Sequence, residues 1–392
     1  MSVPLFDITR QNSTLESSLV RRATEVIRSG RYILGPEVEA FEREVGEWLG
    51  ISHCLYVSSG SDALVMAMMA LDIGPGDEVI LPAFTFFATA GCVHRLGARP
   101  VFADVCPVCF NLDCDSLLDR ISPRTRAVIP VHLFGQTANM TAIRAICGDR
   151  GIAVVEDCAQ SFGARHRGEM SGGLGTIGTF SFFPTKNLGG FGDSGLVTTT
   201  DEGLYQRLRR IRQHGMEPKY YHREVGGNFR GDPLQAAMLR EKLPQVSDYL
   251  KSRSENAAAY HELLGRLPGV SIADEKDCSC PMDTKRIGAD SKIVLPVAYS
   301  HHLHTWNQFT VRIANGERDS LLHFLREREI GCEVYYPRTL GEQECFQAHQ
   351  PDPCPVSSAL AGEVVSLPIF PELRRSEIEE VVAVIRAWLE TP

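Results

Sequence analysis

At 392 residues the chain is longer than one ordinary core and suits a large domain with a smaller one. Hydrophobic residues make up 43% and charged residues 23%, the composition of a globular enzyme. A net charge of -9, with no stripe of Lys and Arg, argues against nucleic acid or an anionic membrane surface as partner. The opening MSVPLFDITRQ lacks the basic start and apolar centre of a secretion signal, and no stretch is long and apolar enough to span a bilayer. The expected compartment is the cytoplasm, where the 12 cysteines stay reduced.

In chain order, residues 16–29 and 36–49 read as helices. In the second, Pro36 fits the first turn, Val38, Phe41, Val45 and Trp48 recur at helical spacing, and Gly50 stops it. Short apolar strands at about 54–58, 78–81, 99–104, 126–131 and 152–156 then alternate with helices at about 62–71, 84–96 and 139–150. Such alternation predicts an α/β domain with a mostly parallel sheet, whose ligands bind at the carboxyl ends of the strands. The pattern changes near Pro244, so the expected division is 1–245 and 246–392. The second part opens on a long polar helix at 245–265, and residues 273–292 read as an exposed loop. The last helix is expected to start at Ser376, with Glu379 completing a capping box and Ile378, Val382, Ile385 and Leu389 facing inward.

Four segments at the strand ends carry candidate chemistry. Ser58-Ser59-Gly60-Ser61-Asp62 closes a strand and opens a helix, which makes a phosphate seat: Gly60 allows close approach, and Ser61 and Asp62 offer free N–H groups. A serine-rich cap with no ligand looks the same. In Val154-Val155-Glu156-Asp157-Cys158-Ala159-Gln160, an apolar strand ends in acids. Asp157 is placed to keep a pyridine nitrogen protonated and Gln160 to reach a neighbouring ring oxygen, although the same residues serve as a plain helix cap. Lys186 ends the apolar run Thr179-Phe-Ser-Phe-Phe-Pro-Thr and precedes glycines. Desolvation would make its amine a nucleophile toward carbonyls; the plainer alternative is a lysine that snorkels from a loop edge. Gly226-Gly-Asn228-Phe-Arg230 joins a loop to a helix with an amide and a guanidinium able to hold a phosphate.

Two further clusters have metal-type spacing. Cys106 and Cys109, with Cys114 nearby and Cys278 and Cys280 later, resemble a split zinc site, but scattered thiols in loops are the plainer reading, and no metal is expected. His301, His302 and His304 open an expected strand and read as a solvated edge.

Taken together, SGRYILGPEVEAFE, SSGSDAL, LPAFTFFATA, PVHLFGQ, VEDCAQSFGA, FSFFPTKNLGGFGDSG, GGNFRGDPLQAA, VYYP and SLPIFPEL resemble the DegT/DnrJ/EryC1/StrS family of sugar aminotransferases over nearly the whole chain. The resemblance implies a pyridoxal 5'-phosphate (PLP) enzyme of fold type I: a large domain with a mostly parallel seven-stranded sheet and a smaller α+β C-terminal domain. It implies a homodimer with shared active sites. Carried over, Lys186 holds the cofactor and Asp157 pairs with its ring nitrogen. Gln160 contacts the ring hydroxyl and Phe86 stacks on the ring. Ser61, the backbone of Asp62, and Ser181 hold the phosphate beside Gly60, with Asn228 reaching it from the partner subunit. Tyr32, Tyr220, Tyr221, Arg230 and Tyr336 are candidate substrate contacts.

The activity implied is transfer of an amino group from L-glutamate to a keto-sugar, dTDP- or UDP-linked and keto at C3 or C4, in amino-sugar biosynthesis. A cyclitol or free keto-sugar is the alternative acceptor, and a non-catalytic regulatory protein the alternative class. A branch of the family that carries histidine in place of the lysine dehydrates its substrate, and Lys186 argues against that chemistry. Where many relatives read PLHLQ, this chain has Thr339-Leu340-Gly341-Glu342-Gln343, so Glu342 would place an added acid near a sugar diphosphate if it faced the site.

Overall fold

The computed structural model describes residues 3–274 and 291–391. Helix α1 (Ile8–Ser29) begins eight residues before the expected start. Asp7 caps it by accepting the Thr9 N–H, and its polar first turns carry no apolar spacing to reveal them. Helix α2 (Pro36–Leu49) follows and stops at Gly50, whose φ of 71° suits a residue without Cβ.

The alternating part then runs β1 (His53–Val57), α3 (Gly60–Ala70), β2 (Glu78–Pro82), α4 (Ala88–Arg95), β3 (Arg99–Ala103) and α5 (Cys114–Arg120). After these come β4 (Thr125–Val128), α6 (Met140–Gly148) and β5 (Ala153–Asp157). A two-residue hairpin, β6 (Arg165–His166) and β7 (Glu169–Met170), precedes β8 (Ile177–Ser181), β9 (Gly195–Thr199), α7 (Glu202–Ile211) and α8 (Pro233–Lys242). The large sheet has seven strands in the order β1-β9-β8-β5-β4-β2-β3. Within it only β9 runs against the others. Both faces are covered: Val155 packs into one apolar cluster and Val154 into another, which is why β5 is a continuous apolar run.

The C-terminal part consists of α9 (Val246–Leu264), β10 (Val270–Ile272), β11 (Ile293–Leu295), β12 (His302–Leu303), β13 (Phe309–Ile313), α10 (Arg318–Glu327), α11 (Pro355–Glu363), β14 (Val364–Leu367) and α12 (Arg375–Leu389). Its four-stranded sheet, β10-β11-β13-β14, and helices α9, α10 and α12 enclose a separate core around Tyr260, Phe309, Val365, Ile378 and Trp388. Val3 joins this core through a bridge to Ile330, so the N-terminal segment is stitched to the C-terminal part.

Two local expectations are corrected. Helix α12 is capped at Arg374 rather than Ser376, because Glu377 accepts the Arg374 N–H at 2.8 Å and is gripped by Arg10 of α1 at 2.7 and 2.8 Å. Glu379 instead pairs with Arg375 on the surface. Of the three histidines expected at a solvated edge, only His301 is exposed. Strand β12 pairs with β6, which sets His302 Nε2 3.1 Å from His166 Nδ1 and its Nδ1 2.9 Å from Thr137 Oγ1. His304 is buried and stacked on Trp306, with ring centroids 3.8 Å apart. Burial lowers His302 to about 4 and His304 to about 3, so both rings stay neutral at physiological pH.

Glu156 is the charged anchor of the sheet's carboxyl edge. It is fully buried and accepts the N–H groups of Gly172, Leu174 and Gly175 at 2.6–2.9 Å. Its fourth partner is His132 Nε2 at 2.9 Å, and His132 Nδ1 accepts the Ala138 N–H. The imidazole is therefore the tautomer that donates to Glu156. Substituting Glu156→Gln turns an amide NH₂ against N–H donors. It should lower the unfolding free energy in urea by about 3 kcal/mol.

Candidate active site

Strands β5 and β8 lie side by side, with Asp157 opposite Thr179, so the residues following each emerge at the same edge of the sheet. Asp157, 5% exposed, is held from two sides. Its Oδ1 accepts the Ala159 N–H at 3.1 Å and its Oδ2 the Thr89 hydroxyl at 2.9 Å. Burial pushes its carboxyl above the usual range, opposed by these two donors and then by the charge of Lys186.

Lys186 stands on the turn after β8, where its N–H donates to the Phe183 carbonyl at 2.8 Å. Among the described residues its ammonium feels the charge of Asp157 but has no hydrogen-bond partner. Loss of water lowers its pKa from 10.5 to about 8, and the attraction of Asp157 resists part of that fall. A desolvated amine and a buried acid thus share one cleft.

Gln160 forms the next wall. Its Oε1 accepts the Phe134 N–H at 2.7 Å, which leaves Nε2 as the group turned inward, 3.2 Å from the Tyr336 hydroxyl. The Tyr336 ring lies 6.1 Å from Phe84 and 6.2 Å from Phe86. Phe86 is 57% exposed, an open aromatic face at the end of β2's extension. Burial, followed by the nearby Asp157 charge, raises the Tyr336 phenol, so it stays neutral and able to donate.

The segment expected to seat a phosphate departs from that expectation at one N–H. Ser59 caps α3 by accepting the Asp62 N–H at 3.0 Å, so that N–H is not free. The Asp62 carboxylate in turn accepts the Ser58 hydroxyl at 2.6 Å. The Gly60 and Ser61 N–H groups remain in the unpaired first turn of the helix. Gly60 is required here: a Cβ would stand 2.8 Å from the Ser181 Cβ. The same packing brings Ser181 beside Ser59 and Gly60. The Arg230 backbone is bridged to Val57 at the end of β1, and its Nε is buried without a hydrogen-bond partner among the described residues.

Other expected residues stand apart. Asn228 is exposed and bridged to Gln213. Tyr220 and Tyr221 sit on an exposed loop, 76% and 70% accessible, and Tyr32 is exposed with its hydroxyl on the Ile27 carbonyl. Glu342 does not add a charge to the cleft. It closes a capping box on the Thr339 N–H at 3.0 Å and accepts the Ser358 hydroxyl at 2.9 Å. Cys106 and Cys114 are buried and Cys109 half-buried, while Cys278 and Cys280 lie outside the described residues. Among the described residues His132, Glu156 and Cys158 are the one group spaced like metal ligands, but N–H donors already occupy the Glu156 oxygens and His132 Nδ1.

Sequence reasoning missed Thr89 and Phe134. Thr89 lies inside LPAFTFFATA without a distinguishing neighbour, and Phe134 contributes only its backbone, from a left-handed conformation with φ 58°.

A family model described as the DegT/DnrJ/EryC1/StrS aminotransferase family matches residues 13–386. A Geobacillus stearothermophilus relative named "Pleiotropic regulatory protein" is 40% identical, covering 97% of this chain and 97% of its own. An Acidithiobacillus ferrooxidans relative, named as a UDP-N-acetyl-3-dehydro-alpha-D-glucosamine 3-aminotransferase, is 38% identical over 99% of this chain and 98% of its own. The solved structure of S. venezuelae DesV, described as in complex with a ketimine intermediate, superposes with a TM-score of 0.90 at 37% identity, covering 100% of this chain and 99% of that one.

The amine at 186 offers a direct check. In reductive methylation, Lys186 of the cofactor-free protein should titrate with a midpoint near pH 8, well below ordinary lysines. Asp157→Asn should move that midpoint lower still, because the charge that favours the ammonium is lost.

Proposed function

The chain belongs to the DegT/DnrJ/EryC1/StrS aminotransferase family and is a PLP-dependent aminotransferase, and from that premise we propose that it transfers the amino group of L-glutamate to a nucleotide-linked keto-sugar. The observation that carries this reading is the meeting of Lys186 and Asp157 at one sheet edge, beside an exposed aromatic ring and a serine-lined helix start.

The residues fit the cofactor. A flat ring needs an open face, which Phe86 supplies, and a phosphate needs N–H groups and hydroxyls, which the start of α3, Ser61 and Ser181 supply. The close packing of Gly60 on Ser181 shapes that cradle. When bound, PLP supplies an electron sink for charge developing at the donor's α-carbon. Asp157 keeps the ring nitrogen protonated, and the Gln160 amide, turned by Phe134, offers an N–H to the ring oxygen. Lys186 would hold the cofactor, and its free amine would move a proton at the donor's α-carbon. A pKa of about 8 leaves that amine partly free near neutral pH.

For the acceptor we infer a dTDP- or UDP-linked sugar with a ketone at C3 or C4. Relatives named for UDP- and dTDP-sugar transaminases support this, since they match over almost the whole chain. The turning of Glu342 into its capping box supports it too, because no added acid there opposes a diphosphate. Tyr336 and Arg230 are the substrate contacts best placed in one chain. We further propose a homodimer, in which Asn228 and the exposed Tyr220 and Tyr221 reach the neighbour's site.

The purified holoprotein should be yellow, and borohydride should erase the visible band while fixing the cofactor on Lys186, read by peptide mass. Added L-glutamate should bleach the band, and UDP- or dTDP-keto-sugars should restore it. A colourless Lys186→Ala variant should lose at least about three orders of magnitude in turnover. Fixation at any other lysine, or full activity in that variant, would contradict the assignment.

A further inference from the structure

A buried carboxylate is driven toward its neutral form unless donors hold its charge. Asp157 has two such donors among the described residues. The Ala159 N–H comes from the turn that Asp157 itself begins. The Thr89 hydroxyl arrives from α4, 68 positions away in sequence, at 2.9 Å from Oδ2. Thr89 is fully buried, so its hydroxyl has exchanged water for this one acceptor. A valine of the same shape would fill the space without that bond.

Resting on the reading of Asp157 as partner of the cofactor's ring nitrogen, we propose that Thr89 is a positioning residue that acts through Asp157. Its O–H pins Oδ2 while the Ala159 N–H pins Oδ1, which stops the carboxylate from turning and leaves fixed lone pairs directed to the cleft. The bond also favours the charged form of the acid.

The other titratable groups around Asp157 do not share this task. Lys186 contributes charge but no hydrogen bond to it. His132 directs its ring N–H to Glu156 on the far side of the strand. Tyr336 and the thiols of Cys92 and Cys158 are kept neutral by burial. Thr89 is thus the side chain that donates to the acid among the described residues.

The test compares wild-type, Thr89→Val and Thr89→Ser proteins titrated with PLP, following the visible band. Thr89→Val should bind the cofactor about tenfold more weakly, the loss expected for one hydrogen bond to a charged group. The pH at which the bound band changes should also move upward in Thr89→Val. A less positive ring nitrogen lets the nitrogen on Lys186 keep its proton to higher pH. Thr89→Ser, which keeps the hydroxyl, should restore both values; a purely packing role would be disturbed by the lost methyl instead. Wild-type affinity and midpoint in Thr89→Val would overturn the proposal, as would a Thr89→Ser protein displaced as far as the valine variant. If Thr89→Val does not fold, Thr89→Ala is read in its place against Thr89→Ser by the same two outcomes. A wild-type protein without a band fixed at Lys186 would sink the underlying reading of the site, and that result precedes any comparison of variants.

Discussion

The candidate site depends on a buried carboxylate, Asp157, and on the half-buried Lys186, whose charge acts on it. Each group alone is costly to bury. Together at the edge of one sheet they partly compensate, since the charge of each favours the charged form of the other. The compensation is incomplete by design: Lys186 remains a weaker base than a surface lysine, and Asp157 is held above the ordinary carboxylate range. A cationic aromatic ring placed between them would satisfy the acid and engage the amine.

The fold supplies the rigidity this needs. A parallel sheet covered on both faces presents its strand ends in register, so Asp157 and the turn carrying Lys186 cannot shift independently. Behind them Glu156 ties β5 to the Gly172–Gly175 turn and, through His132, to the turn that orients Gln160. One strand therefore carries two neighbouring acids with opposite tasks. Glu156 faces a nest of N–H groups and is structural; Asp157 faces the cleft with few partners and is left available. Their alternation follows from the two-residue period of a strand.

Much of this was legible in the sequence because the signals were local. Strand β5 ends where its apolar run meets two acids, α2 is bounded by Pro36 and Gly50, and Lys186 stands out as a lone charge after an apolar strand. What escaped depended on contacts between distant positions. Nothing near Arg374 marks it as a cap, since Glu377 is drawn there by Arg10 from the other end of the chain. His302 and His304 read as solvated because β12's pairing with β6 spans 136 positions. Thr89 looks like any helix threonine until its hydroxyl is found on Asp157 at the end of β5. Glu342 is the reverse case: Thr339 and Glu342 have the three-residue spacing of a capping box, and that local signal accounts for where the acid's oxygens go.

The central claim is that Asp157 holds a proton on the ring nitrogen of the cofactor that Lys186 carries. NMR of the holoprotein prepared with PLP labelled at the ring nitrogen reads that proton directly. The account predicts a protonated nitrogen throughout the neutral range, converted to the unprotonated form by Asp157→Asn while the cofactor stays bound. An unprotonated nitrogen in the native enzyme, or one indifferent to that substitution, would contradict it.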